Sequence, residues 1–240
     1  MTAVPLGGLA RRLLRSTPVA MALVVVALVL AFGALSPGGA FLRVSNLSTI
    51  TLNVSVTMLL AVGVTLVMAS GELDLSIGAN VVLSSVVGAQ VLVALSGAPE
   101  QVRVGDYPTL PLGIAAGTLA AVLTGAAFGA LNGLLVTRLR VNSFIVTLGT
   151  MGIGTGLAYV LTGGTNVPHV PRLLQTGFGV ERLFGVVPYP MIVVLVISGL
   201  LWHLLSSTRF GLRTLAIGSS REAAERAGIR VAPHLLALFT

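Results

Sequence analysis

The sequence predicts an all-α polytopic membrane protein, and three observations carry that prediction. Of 240 residues, 55% are hydrophobic and only 9% charged, with a mean hydropathy of +1.01; a soluble globular chain carries roughly 25% charged residues. Apolar runs long enough to cross a bilayer's ~30 Å core at 1.5 Å per residue recur along the chain. The charges gather between those runs, most pointedly at Gly71-Glu-Leu-Asp-Leu-Ser-Ile-Gly78, which holds two of only seven acids. Because lipid satisfies no backbone hydrogen bonds, such runs cross as helices.

The first apolar run, about Pro18 to Leu35, follows Arg11, Arg12 and Arg15. Its outline resembles a signal peptide, but it exceeds the usual signal core and more spans follow, so an uncleaved first helix is expected with its basic end in the cytoplasm. Further spans read as Ser48–Ala69, Ser76–Leu95, Leu110–Val136, Ser143–Leu161 and about Val186–Leu205, with a seventh beginning at Pro233. All fourteen basic residues are arginine. Alternating sides from a cytoplasmic N-terminus puts Arg11, Arg12, Arg15, Arg138, Arg140, Arg209, Arg213, Arg221, Arg226 and Arg230 inside, and Arg43, Arg103, Arg172 and Arg182 outside. That asymmetry is what the positive-inside rule predicts for six complete spans. Residues 1–240 therefore read as one transmembrane domain. The basic composition sets topology in contact with lipid, and nucleic acid is not an expected partner.

Within the second span Thr51, Asn53, Ser55 and Thr57 alternate with apolar residues. A lone strand cannot cross lipid, so these are helical i,i+4 pairs that either bond neighbouring helices or line a path. Glu72 and Asp74, with Ser76, interrupt the apolar sequence at the start of the third span. They either cap that helix, whose positive end favours acids, or contact solute; the structural role is preferred. In the fourth span Gly125, Gly129 and Gly133 are spaced by four, a stripe for close helix packing, with Asn132 beside it as an interhelical hydrogen bonder. Asn142-Ser143 is placed to cap the fifth helix, whose Gly149, Gly152 and Gly156 continue the small-residue packing. The outer loop from Gly163 to Val187 is either a solvated connection or a docking surface for an external partner.

The stretch 207–232 is the other informative segment. Ser219 with Glu222 fits a capping box, Arg221 to Ala227 forms helix readily, Gly228 is placed to end it and Pro233 to begin the next. A short two-turn helix is expected there, its small face of Ala223, Ala224 and Ala227 set in a groove, with Arg221, Glu222, Glu225 and Arg226 hydrated. It lacks the bulky apolar face of a membrane-surface helix, so a cytoplasmic protein partner fits better. The chain has no cysteine, and His169, His203 and His234 lie far from each other and from metal-ligand spacings; disulfides are excluded and no metal site or cofactor is expected. No nucleophile–base constellation stands out, so no catalytic residue is expected.

Three blocks together resemble the permease subunits of ribose-type (monosaccharide) ABC importers. Gly71-Glu-Leu-Asp-Leu-Ser-Ile-Gly78 is similar to the family's "GGIDLSVG", with Glu72 at the second glycine. Asn132-Gly-Leu-Leu-Val136 through Phe144-Ile-Val-Thr-Leu-Gly149 resembles "NG-LV…PFI-TLG", with Ser143 where proline is frequent. Arg209-Phe-Gly211 through Ala216-Ile-Gly218 and Glu222-Ala-Ala224 to Ala227-Gly-Ile229 resembles its cytoplasmic "G…AIG-N-EAA-LSGI" loop. The resemblance implies a permease of the bacterial inner membrane that moves a sugar or sugar-like solute by alternating access. Its implied partners are a cytoplasmic ATP-binding subunit, an extracytoplasmic solute-binding protein and a second permease chain. The helix carrying Glu222, Ala223, Ala224, Ala227 and Gly228 would couple to the ATPase. No G-x-x-x-x-G-K-[ST] loop occurs, so ATP hydrolysis is assigned to the partner. Members of that family usually carry more spans than this chain, which reads as an N-terminal portion. Two other readings are a branched-chain amino-acid permease, which the "DLS-G" block fits less well, and an ion-coupled carrier using Glu72 or Asp74, which leaves the alanine-faced helix unexplained. A third is an accessory membrane protein that transports nothing.

Overall fold

The computed structural model describes residues 17–177, 179, 181–185 and 187–240. Arg11, Arg12 and Arg15, and the Val186 start assigned to the sixth span, lie outside the described residues. Helices α1 (Thr17–Leu35), α2 (Val44–Ala69), α3 (Ile77–Leu95), α5 (Leu110–Arg138), α6 (Ser143–Thr162) and α8 (Tyr189–Ser207) are each long and apolar enough to cross a membrane. Large apolar side chains such as Leu30, Val122, Val160 and Trp202 stand exposed along them. Such surfaces suit lipid, and a soluble monomer would not carry so many. The chain is an all-α polytopic membrane protein with six candidate spans among the described residues, followed by the shorter helix α11 (Val231–Phe239).

The chain divides into two compact units, residues 1–51 and 52–240. In the first, α1 ends in a 3₁₀ turn (Pro37–Leu42) with Gly38 and Gly39 at positive φ, which a residue without Cβ adopts freely. The Ser36 hydroxyl accepts from the Phe41 amide at 3.0 Å, and Asn46 Nδ2 donates to the Phe41 carbonyl at 2.8 Å. These bonds satisfy backbone groups that the change of direction leaves open.

In the second unit α3 and α5 pack along their lengths because glycine removes the side chains between them. A Cβ on Gly88 would lie 2.9 Å from the Gly117 carbonyl oxygen, and one on Gly113 would lie 2.7 Å from the Leu92 carbonyl oxygen. Farther along α5 the stripe changes neighbour. A Cβ on Gly133 would lie 2.9 Å from Leu236, and one on Gly129 would collide with the Phe239 carbonyl, so α11 lies directly on the backbone of α5. On α6 the close approach is at Gly154, beside Phe128 and Ala79. Gly149, Gly152 and Gly156 were expected to join this packing, but a Cβ on any of them would meet nothing within 4 Å. Helical phase separates the two sets: Gly154 shares its face with buried Thr147, Thr150 and Ala158, and the other three point away.

The turns sort into two ends. At one, Leu73 bonds to Ser143 and Glu72 approaches Arg221; at the other, the Tyr107 hydroxyl donates to the His169 carbonyl at 2.9 Å. Within this unit Arg138, Arg140, Arg209, Arg213, Arg221, Arg226 and Arg230 belong to segments of the first end, and Arg103, Arg172 and Arg182 to the second. The second end also carries two short helices, α4 (Pro99–Arg103) and α7 (Arg172–Thr176), and a two-residue hairpin of β1 (Arg182–Leu183) and β2 (Val187–Pro188).

Two observed boundaries correct the sequence reading at the first end. The segment before α11 holds two helices, α9 (Arg209–Ser219) and α10 (Arg221–Arg226), where one was expected. Ser219 is the last residue of α9 and does not cap α10; Ser220 does, its hydroxyl accepting from the Ala223 amide at 3.3 Å. Glu222 pairs with Arg226 at 2.6 Å and does not close a capping box. The next helix starts at Val231, two residues before Pro233.

Candidate functional site

The break between α2 and α3 is built by turn chemistry. Gly71 takes φ +82, a left-handed conformation that glycine adopts without a Cβ clash. Asp74 Oδ1 then accepts from both the Ser76 amide at 2.8 Å and the Ser76 hydroxyl at 2.6 Å. This Asx-type turn places a carboxylate at the positive end of α3. Ser76, at the N-cap, passes the network on: Asn132 Nδ2 donates to its hydroxyl at 2.7 Å, and Asn132 is fully buried in α5. On the other side the Leu73 amide donates to Ser143 Oγ at 3.1 Å, and Thr147 Oγ1 lies 3.3 Å from the Leu73 carbonyl oxygen. The break is therefore tied to α5 and α6 by side chains while its own backbone leaves the helical path.

The structure brings Asp74, Ser76 and Asn132 together and separates the other polar candidates. Asn53 is exposed on α2, and Ser55 is buried with its hydroxyl 3.5 Å from Met191 Sδ of α8. Glu72 turns toward α10, with Oε1 3.6 Å from Arg221. Of the Asn142-Ser143 pair placed to cap α6, Asn142 is the cap, its Oδ1 accepting from the Phe144 amide at 2.9 Å, while Ser143 holds the break. Thr147 and Asn80 were not singled out in the sequence, although Asn80 Nδ2 donates to the Gly125 carbonyl at 3.1 Å and Asn80 Oδ1 accepts from Ser84 Oγ at 3.1 Å. Asn80 and Ser84, one turn apart in an apolar span, were the available signal.

Helix α10 ends in a Schellman motif. Gly228 sits at φ +82, and the Ile229 amide donates back to the Ala224 carbonyl at 3.0 Å. That turn folds Ile229 over Ala224, which is only 4% exposed in a cluster with Ile217, Val231 and Leu235. The alanine face is thus divided, correcting the expectation that all of it serves a partner. Ala224 belongs to the protein's own core, while Ala223 and Ala227 remain exposed. Arg221–Glu225 at 3.5 Å and Glu222–Arg226 at 2.6 Å form i,i+4 pairs on the hydrated face.

A cavity of about 890 Å³ opens toward the opposite end, between α3, α6 and the chain after α6. Ser85, Thr155, Tyr159, Thr162, Thr165 and Asn166 supply its polar lining, and no charged side chain lines it. The Ser85, Thr155, Thr162 and Thr165 hydroxyls donate to backbone carbonyls, which leaves their lone pairs as acceptors. Such a lining matches a neutral solute that brings its own O–H donors. Among the described residues no three His, Asp or Glu side chains gather as a metal-holding group.

The chain is thus a multi-pass helical membrane protein whose α2–α3 break is held by side chains of α5 and α6, with two short helices at one end of the second unit and an uncharged polar cavity toward the other. Residues 46–240 match the family model described as branched-chain amino acid transport system / permease component, and the chain belongs to that family. It is 32% identical over 216 residues to the D-allose transport system permease protein AlsC of Escherichia coli K12, covering 90% of this chain and 61% of that protein. It is 33% identical over 188 residues to the autoinducer 2 import system permease protein LsrC of Yersinia pseudotuberculosis, covering 77% of this chain and 48% of that protein. LsrC of Yersinia pestis Pestoides F matches equally, at 33% over 188 residues. The chain thus spans between about half and three-fifths of the length of these relatives. No solved structure matches.

Proposed function

We propose that this chain forms the solute path of an ATP-driven importer of the inner membrane and carries a sugar or sugar-like solute. The observation that carries the reading is the match along most of the chain to permeases named for D-allose and autoinducer 2. The uncharged, acceptor-rich lining of the cavity agrees with it, since a sugar brings hydroxyl donors and no charged groups that would need counter-charges in the lining.

In this reading the arginine-rich end faces the cytoplasm, and α9, α10 and α11 form the coupling region. The exposed Ala223 and Ala227, between the paired charges of α10, fit a groove on a separate ATP-binding subunit. An extracytoplasmic binding protein delivers solute to the far end, and a second permease chain completes the path. Closure of the ATP-binding partners moves α10, and the glycine-packed helices rock as rigid pieces between outward- and inward-facing arrangements. Asp74, Ser76 and Asn132 hold the α2–α3 break in this scheme and do not contact solute.

The test is energetic. Cells expressing the full-length protein with its neighbouring transport genes should lose uptake of the candidate sugar when ATP is depleted and keep it when the ion gradient is collapsed. The reverse pattern would move the assignment to an ion-coupled carrier using Glu72 or Asp74.

A further inference from the structure

Two independent contacts join the α2–α3 break to the α9–α10 corner. The first is backbone on backbone. A Cβ on Gly218 would collide with the Ala69 carbonyl, and one on Gly71 would lie 3.5 Å from the Gly218 Cα. The second is ionic. Glu72 Oε1 lies 3.6 Å from Arg221 NH1, with the Glu72 side chain 16% and the Arg221 side chain 47% exposed. Arg221 is the first residue of α10, and its Nε also lies 3.5 Å from Glu225.

On the other side of the pair, Glu72 is covalently next to Leu73. The Leu73 amide and carbonyl are both held by α6, and at the next residue begins the Asp74–Ser76–Asn132 chain into α5. A displacement of α10 thus meets the break at one half-buried carboxylate. The shortest connected route then runs into α3, α5 and α6 together.

We propose that Glu72 is a positioning residue: its carboxylate holds Arg221, and with it α10, against the break, so that movement imposed on α10 is passed to the spans. The proposal rests on the importer reading for what moves α10, but the tie itself does not depend on it. The glycine contact resists approach sterically but opposes separation only through short-range dispersion. The ion pair adds resistance to separation, which a two-way coupling requires.

The test uses the full-length protein with Glu72→Arg, Arg221→Glu and the swapped double variant, all in a Glu225→Gln background so that the i,i+4 partner does not interfere. With its ATP-binding subunits in proteoliposomes, each single reversal should lower solute moved per ATP hydrolysed several-fold, with ATP hydrolysis retained. The swap should return that ratio to within about twofold of the background, a rescue that a merely structural role does not predict. A second measurement needs no partner. Ala224→Cys in the same variants should react with a maleimide several-fold faster in the single reversals and slowly again in the swap. Unchanged labelling across the set, or a swap no better than its parents, overturns the positioning role. Rescue of labelling together with failure of the wild type to transport with any ATP-binding partner would leave the tie standing and remove the importer reading.

Discussion

Asn132 Nδ2 donates to Ser76 Oγ at 2.7 Å, and Ser76 in turn donates to Asp74 Oδ1 at 2.6 Å, so a fully buried amide of α5 is joined to the carboxylate that opens α3. The two residues are 56 positions apart in sequence, and the bond fixes where the break sits against the bundle.

Removing that donor should loosen the break. Asn132→Ala loses the bond and leaves a void, with an expected cost of about 1–2 kcal/mol, since single hydrogen bonds inside membrane bundles contribute about that or less. Asn132→Leu fills the void and should cost less. Thermal unfolding in detergent, followed by loss of the monodisperse peak, ranks the two; equal stability of all three proteins would show that the bond contributes nothing.

Asp74 separates capping from solute or ion contact. Asn in its place keeps an oxygen acceptor for the Ser76 amide and hydroxyl, whereas Ala keeps none. Asp74→Asn should retain most uptake and lose only the helix-end charge effect, about 0.3–1 kcal/mol. Asp74→Ala should lose stability by about 1 kcal/mol. Uptake abolished by the Asn variant in a well-folded protein would instead place the charge in the transport step.

The glycines divide into two groups by what faces them. Gly129→Ala and Gly133→Ala drive a methyl group into α11 and should cost about 1–3 kcal/mol each. Gly149→Ala and Gly152→Ala meet nothing in the chain and, by helix propensity, should be neutral or stabilising by up to about 1 kcal/mol. If the melting temperatures of the two groups are indistinguishable, α11 does not lie on α5 in the membrane.

The fold was legible because its determinant is local: a bilayer demands long apolar runs, and composition displays them directly. The turn chemistry at Asp74 and Gly228 was legible for the same reason, being set within a few residues. What escaped depended on contacts across the chain. Glu72 meets Arg221 only after α9 has brought the corner round, and no spacing rule relates positions so far apart. Gly149, Gly152 and Gly156 looked like a packing stripe, yet helical phase put Gly154 on the buried face. Ala224 looked identical to Ala223 and Ala227 until the Schellman turn folded Ile229 onto it.

That division of the alanine face has a direct readout in a chain without cysteine. Ala223→Cys and Ala227→Cys should label rapidly with a membrane-impermeant maleimide applied to inverted vesicles, and Ala224→Cys slowly. Rapid labelling in right-side-out vesicles instead would invert the topology.

Coupling through α10 is tested most directly by a crosslink from Ala227→Cys in the full-length protein, co-expressed with its ATP-binding subunit carrying a photoreactive or thiol-reactive probe. A specific crosslink to that subunit is expected, its yield changing on adding ATP, with Ala224→Cys giving little. No crosslink from Ala223→Cys or Ala227→Cys in membranes that contain both proteins, with solute uptake that follows the ion gradient, would contradict it.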